Sequence, residues 1–250
     1  GRVGELLGAA PKSDKPNGIM PIAPVSAETV RMSHQSDFAP FIYVKDGKSV
    51  GILVDIVEAA AARENVTVVF VPVPLADVAA TLTDGRADAI VPFGITPERE
   101  ATYDFSVPLI MTGGALFVKA PNPEPADLHA LDGKTVVSPQ AGPFVLYMQK
   151  NAPGIRVVAT TSYQDSLNRV VSGEADAAAL NLQVGTNVVA ESYAGKITVP
   201  VKTFTQAPLA IAVRKGQHAD LMQRLAAGLE AIRADGTLAK IEAKWKAAQP

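Results

Sequence analysis

Residues 89–99 read Ala89-Ile90-Val91-Pro92-Phe93-Gly94-Ile95-Thr96-Pro97-Glu98-Arg99. Ala89-Ile90-Val91 is a short apolar strand, Thr96 a good N-cap and Pro97 a good first helical residue. The stretch therefore reads as a strand running into the start of a helix. Such a junction aims unpaired backbone N–H groups and the positive end of a helix dipole at one spot. Arg99 is electrostatically out of place in that first turn unless an anion sits there too. A carboxylate gripped by the guanidinium fork and the helix N-terminus together would satisfy both. The plain alternative is a surface arginine paired with a nearby acid.

Upstream, residues 29–33 form the first strand, 34–40 a loop and 41–44 a second strand, followed by a turn at Asp46-Gly47. Residues 52–64 carry Ile52, Ile56, Val57 and Ala60 at helical spacing. Residues 66–73 are a nearly continuous β-branched run, the pattern of a strand buried on both faces. A helix over 76–83 stops at Asp84-Gly85, and 88–91 is the next buried strand. This β-α-β-α-β order predicts an α/β fold with a parallel sheet flanked by helices. Residues 1–28, with Pro11, Pro16, Pro21 and Pro24, read as an extended N-terminal arm.

Downstream, Gly113-Gly114 is a flexible pair ahead of a strand at 115–118, and Pro121, Pro123 and Pro125 mark a loop. Then come a strand at 135–138, a helix at 144–151, a strand at 156–159, a helix at 163–172 stopped by Gly173, and a strand at 175–180. Residues 82–89 (LTDGRADA) and 171–177 (VSGEADA) are alike: helix, glycine stop, small-Asp-Ala, buried strand. Two similarly wound lobes are the economical reading. The tail is a strand at 209–213, a helix at 221–234, a stop at Gly236 and a short helix through Trp245.

The 250 residues, 48% hydrophobic and 19% charged, suffice for one large domain or two lobes. A net charge of −2 without a basic run argues against a nucleic-acid partner. No apolar run approaches the roughly 18–20 residues that span a bilayer. The absence of cysteine removes disulfides, thiolate catalysis and thiolate metal sites. His34, His129 and His218 lie in separate segments without metal-type spacing, and no nucleophile elbow, Walker loop or dinucleotide fingerprint occurs, so neither metal nor cofactor is expected.

Ala39-Pro40-Phe41, Val50-Gly51, Asp55, residues 82–89 and 96–99, and Phe105-Ser106 resemble the amino-acid-type (family 3) periplasmic solute-binding proteins of ABC transporters. So do Leu131-Asp132-Gly133-Lys134, residues 173–176, Ala212-Val213-Arg214-Lys215-Gly216, Gly236-Thr237 and Trp245. The resemblance covers residues 29–246. It implies a two-lobed Venus-flytrap fold with parallel-rich sheets flanked by helices, joined by hinge strands near 111–114 and 206–208. Lobe 1 would comprise 29–112 plus 208–250 and lobe 2 would comprise 113–207. It further implies a periplasmic monomer, its signal peptide removed, that passes a small carboxylate to an ABC transporter permease and does no chemistry.

On the family pattern, Arg99 binds the ligand carboxylate bidentately and Phe38 stacks on the ligand side chain. Leu75 falls where a second aromatic is common. Pro92 and Gly94 stand where hydroxyl residues are frequent, although the Gly94 backbone can still approach closely. Ala141-Gly142-Pro143 replaces a Gly-Thr-Thr-type donor loop, and Pro143 has no N–H to give. Asn181 replaces the aspartate that pairs with a ligand ammonium, and Gln35 one that serves cationic side chains. Burying an ammonium without a counter-charge is costly. The ligand therefore keeps a carboxylate but need not carry a free α-ammonium, and Phe38, Leu75, Phe93 and Phe144 suggest apolar or aromatic bulk. His34 is a further candidate to line the cleft. Two alternatives remain: a cyclohexadienyl-dehydratase-like periplasmic enzyme, with His34 its nameable proton carrier, and the ligand-sensing domain of a receptor.

Overall fold

The structure, a computed structural model, describes residues 27–248, so all but the last two residues of the expected N-terminal arm lie outside it. The chain opens with β1 (Glu28–Gln35), β2 (Asp37–Phe38), β3 (Ile42–Lys45), β4 (Lys48–Val50), α1 (Ile52–Ala62) and β5 (Val66–Val73). It continues through α2 (Ala80–Thr83), β6 (Ala89–Gly94), α3 (Pro97–Glu100) and β7 (Tyr103–Phe105). A second set follows: β8 (Gly113–Lys119), β9 (Thr135–Pro139), α4 (Phe144–Asn151), β10 (Arg156–Thr160), α5 (Tyr163–Ser172), β11 (Ala177–Asn181), α6 (Leu182–Ser192), β12 (Ile197–Thr198) and β13 (Thr205–Gln206). The chain then returns as β14 (Leu209–Arg214), α7 (Ala219–Ala234) and α8 (Thr237–Ala248).

Two large sheets result, each with helices packed on it, beside a small antiparallel sheet of β2-β3-β4. The first has the order β5-β1-β6-β14-β7, and the second β10-β9-β11-β8-β12 with β13 also on β8. β1 runs parallel to β5 and β6, and β9 parallel to β10 and β11. β14 and β8 run antiparallel to their neighbours, so both sheets are mixed.

The sequence repeat has a physical counterpart. Asp88 and Asp176 each stand just before a central strand and clamp the neighbouring strand from both sides of one residue. Arg31 N–H donates to Asp88 Oδ2 at 2.9 Å while Asp88 N–H donates to the Arg31 carbonyl at 2.8 Å. Thr135 and Asp176 repeat this with 2.9 Å in both directions. Each aspartate thus fixes parallel register in its own sheet.

Several expectations change. β5 is an edge strand rather than one buried on both faces, and Val69 on it is 46% exposed. Its β-branched residues report strand propensity, which an edge position satisfies equally well. The helix expected over 76–83 splits into a 3₁₀ turn at Leu75–Asp77 and the single turn α2. Gly113-Gly114 opens β8 rather than preceding it, and its glycines permit close packing. A Cβ on Gly113 would collide with the Thr205 carbonyl, and one on Gly114 would meet the Phe144 and Phe204 rings at 2.6 and 2.7 Å. α6 is an element the sequence reading lacks. Its Gly185 looks like a breaker, yet a Cβ there would run into the Phe117 ring.

The chain passes between the sheets twice, and the two passages pair side by side. Leu209 N–H donates to the Ile110 carbonyl at 2.8 Å and Ala207 N–H to the Thr112 carbonyl at 2.9 Å. Gly113 and Gly114 then pair with Gln206 and Thr205. Beneath the first sheet, α1 and α7 approach until a Cβ on Gly228 would overlap the Ala60 backbone. Gly228→Ala should therefore destabilise the protein by about 1–3 kcal/mol through overpacking. An unchanged denaturant midpoint would show that these helices do not pack this closely.

Candidate functional site

Between the sheets lies a cavity of about 60 Å³. Its walls include Gln35, Phe38, Leu75, Phe93, Gly94 and Arg99 from the first sheet's side, and residues 141–144, Tyr163 and Asn181 from the second. All the candidate site residues but His34 meet there.

Arg99 is built as the sequence suggests. Thr96 caps α3, its hydroxyl accepting the Arg99 N–H at 3.1 Å. α3 is one turn long, so its dipole contributes little, and the cation's position is not set against a strong field. The guanidinium instead lies 3.6 Å above the Phe93 ring centroid. Phe93 is held there by Tyr103, edge-on at 4.9 Å, and by Phe105 at 6.3 Å. Nη1 donates to the Gly94 carbonyl at 3.1 Å, and Nη2 reaches across the cleft to the Ala141 carbonyl at 2.9 Å. Among the described residues no carboxylate forms an ion pair with Arg99, and it is the only charged residue lining the cavity. Burial pulls its pKa down to about 10, partly opposed by Tyr103, so it stays cationic at neutral pH. Among the described residues the guanidinium keeps its Nε–H and one hydrogen on each terminal nitrogen unpaired.

The remaining candidates divide by what their polar atoms already do. Asn181 is the N-cap of α6: its Oδ1 accepts from Val184 N–H at 3.0 Å and its Nδ2 donates to Thr112 Oγ1 at 3.2 Å. Thr112 in turn donates to Gln183 Oε1. Its carboxamide thus already ties the helix to the passage between the sheets, with one Nδ2 hydrogen still unpaired among the described residues. Gly142 N–H is likewise taken, by the Pro139 carbonyl at 3.0 Å. Gln35 Nε2 donates to the Asp37 carbonyl at 3.1 Å. Phe144 packs edge-on against Phe204 at 5.4 Å, and Leu75 completes an apolar wall. Phe38 faces Tyr163 across the cleft, 6.2 Å apart and nearly perpendicular.

Tyr163 also lines the cavity, although its sequence places it only on a helix. It follows the N-cap Ser162, whose hydroxyl accepts from Asp165 N–H at 3.0 Å, so it opens α5 at a strand-to-helix junction like that of Arg99. An aromatic directly after such a cap was the available signal. Its phenol oxygen accepts the Asn181 backbone N–H at 3.1 Å, and burial raises its pKa and keeps it protonated.

The sequence profile of the bacterial extracellular solute-binding proteins, family 3, matches residues 30–248. The chain belongs to this family. Among its relatives is the Escherichia coli ABC transporter arginine-binding protein 1, 26% identical over 88% of this chain and 91% of that protein. The solved structure of an ancestral arginine-binding protein bound to glutamine is 30% identical, with a TM-score of 0.75 over 87% of this chain and 97% of that one. The virulence sensor BvgS of Bordetella bronchiseptica is 26% identical over 84% of this chain, which spans 17% of that sensor's length. The family 3 fold is the two-lobed α/β architecture seen here.

His34 does not line the cleft of this family 3 protein. It is fully buried on β1, edge-on to Phe70 at 6.1 Å. Nδ1 lies 2.8 Å from the Gln35 carbonyl, which can only accept, so Nδ1 carries the proton. Nε2 then accepts from the Ser49 hydroxyl at 2.7 Å. The ring clasps β1 to β4 and has no path to a ligand, so the proton carrier nominated for an enzyme is not at the cavity. Burial lowers its pKa below 6.5, opposed by the Gln35 carbonyl. The unfolded chain therefore binds the proton more readily than the fold does. Stability from neutral His34 is full above about pH 6.5 and declines as pH falls below it. Denaturation between about pH 7 and about pH 5 should show this slope, and His34→Gln should flatten it. An equal slope in both proteins would assign the pH dependence elsewhere.

Proposed function

We propose that this chain captures a small carboxylate, an amino acid or a related acid without a free α-ammonium, outside the cytoplasm and delivers it to an ABC transporter permease. The observation that carries this reading is the lone cation of the cleft, Arg99, with donors to spare and no carboxylate as partner. A ligand carboxylate supplies the missing charge. An ammonium finds no counter-charge in the wall, which disfavours a cationic amino acid. Phe38, Leu75 and Phe144 accept an apolar or aromatic side chain.

The lobes divide at residues 112/113 and 207/208 and close about the paired passages, excluding water and strengthening the Arg99 contact. The chain acts as a periplasmic monomer and does no chemistry. The names of the family and of the Escherichia coli relative support the transport role. The likeness to BvgS favours a second reading, in which the same cleft reports occupancy to an attached signalling domain.

A melting screen of amino acids, oxo acids and aromatic acids tests the proposal. A true ligand at a hundredfold its Kd should raise Tm by about 5–10 °C. Arg99→Gln should abolish the shift. An undiminished shift in that variant, or a cationic L-amino acid as the tightest ligand, would overturn the reading.

A further inference from the structure

We infer that Tyr163 is a specificity-determining contact whose phenol O–H donates to an acceptor oxygen on the ligand, selecting an α-oxo acid over the matching amino acid. The inference rests on the proposal that Arg99 holds the ligand carboxylate. Tyr163 is 7% exposed and lines the cavity. Its ring is fixed by the α5 cap, by its place in the core and by the edge contact with Phe38. Its oxygen receives the Asn181 N–H, so that side of the hydroxyl is occupied. Among the described residues nothing accepts the phenol proton. A buried donor left in this state is unfavourable and is usually met by a partner. Tyr163 lines the cavity, so a ligand there is the partner within its reach.

The cleft thus offers donors, among them the Arg99 guanidinium and the Tyr163 hydroxyl, and few free acceptors. The Gly94 and Ala141 carbonyls each already accept one hydrogen bond from Arg99, and the Asn181 carboxamide oxygen accepts one from the α6 cap. The neutral Gln35 amide is what remains. An α-ammonium brings only donors: it could use the second lone pair of the phenol oxygen, but it would leave the phenol proton without an acceptor. An α-oxo group brings only acceptor lone pairs and completes the Tyr163 hydrogen bond. Burial keeps the phenol protonated across the physiological range, so the preference does not depend on its ionisation.

Calorimetric titration of the whole chain with α-ketoisocaproate, leucine and isocaproate separates the two levels of the argument. The wild type should bind the oxo acid most tightly. Tyr163→Phe should shrink its preference for α-ketoisocaproate over isocaproate by about tenfold, the worth of one such hydrogen bond. Arg99→Gln should weaken all the acids. An unchanged preference in Tyr163→Phe, with Arg99→Gln still damaging, refutes the role of Tyr163 alone. Equal binding of all ligands by Arg99→Gln and wild type refutes the carboxylate reading itself. The wild type also decides without any variant: leucine or isocaproate binding as tightly as the oxo acid, or no binding of the three, overturns the inference.

Discussion

A guanidinium taken out of water needs a counter-ion, or enough carbonyl and ring surface to replace its hydration. Arg99 has the second arrangement. Phe93 supplies the π face, Gly94 and Ala141 supply carbonyls, and no carboxylate takes part. The charge is therefore tolerated but not neutralised, and the most favourable remaining partner is an anion that enters the cleft. Much of the surrounding structure serves this placement. β6 carries Phe93 and Gly94, the Thr96 cap turns the chain so that Arg99 folds back over the ring, and β7 supplies the aromatics that hold Phe93. The Ala141 contact makes the same side chain a tie between the two halves of the molecule.

The second half of the site is fixed through the chain passages. Asn181 ends β11, caps α6 and donates to Thr112 where the chain enters the second sheet. Tyr163 accepts the backbone N–H of that same residue. Movement of the passages would therefore be felt at Tyr163, whereas Arg99 is anchored on the first sheet. The glycines of β8 contribute by absence of bulk, since side chains there would drive the Thr205 carbonyl and the Phe144 and Phe204 rings away from the strand. The apolar wall that Phe144 gives the cavity depends on that closeness.

What could be read from the residues, and what could not, follows from the range of the forces involved. The Thr96 cap, the Gly173 stop and the α4 and α5 helices rest on local chemistry and were legible as written. The junction placing Arg99 was equally local, and the family resemblance suggested a carboxylate as its partner. The Ala141 partner was not legible, because a backbone carbonyl has no residue-type signature. His34 looked available because its partner Ser49 lies on a separate hairpin strand that only tertiary structure brings near. β5 looked doubly buried because strand order, which makes it an edge, is not encoded in its own composition. Asn181 lines the cavity as expected, but its role as the cap of α6 was not foreseen, although an amide caps a helix as well as an acid does. α6 was hidden by the same residue and by Gly185, whose need is set by Phe117 from another element.

The charge of the ligand at Arg99 is the point on which the account stands. Calorimetric titration with α-ketoisocaproate and with its neutral primary amide, nearly identical in shape, isolates that charge. The account predicts that the acid binds and that the amide is weaker by about a hundredfold or more, because the buried guanidinium is then left without a counter-charge. Equal affinities for acid and amide would contradict it.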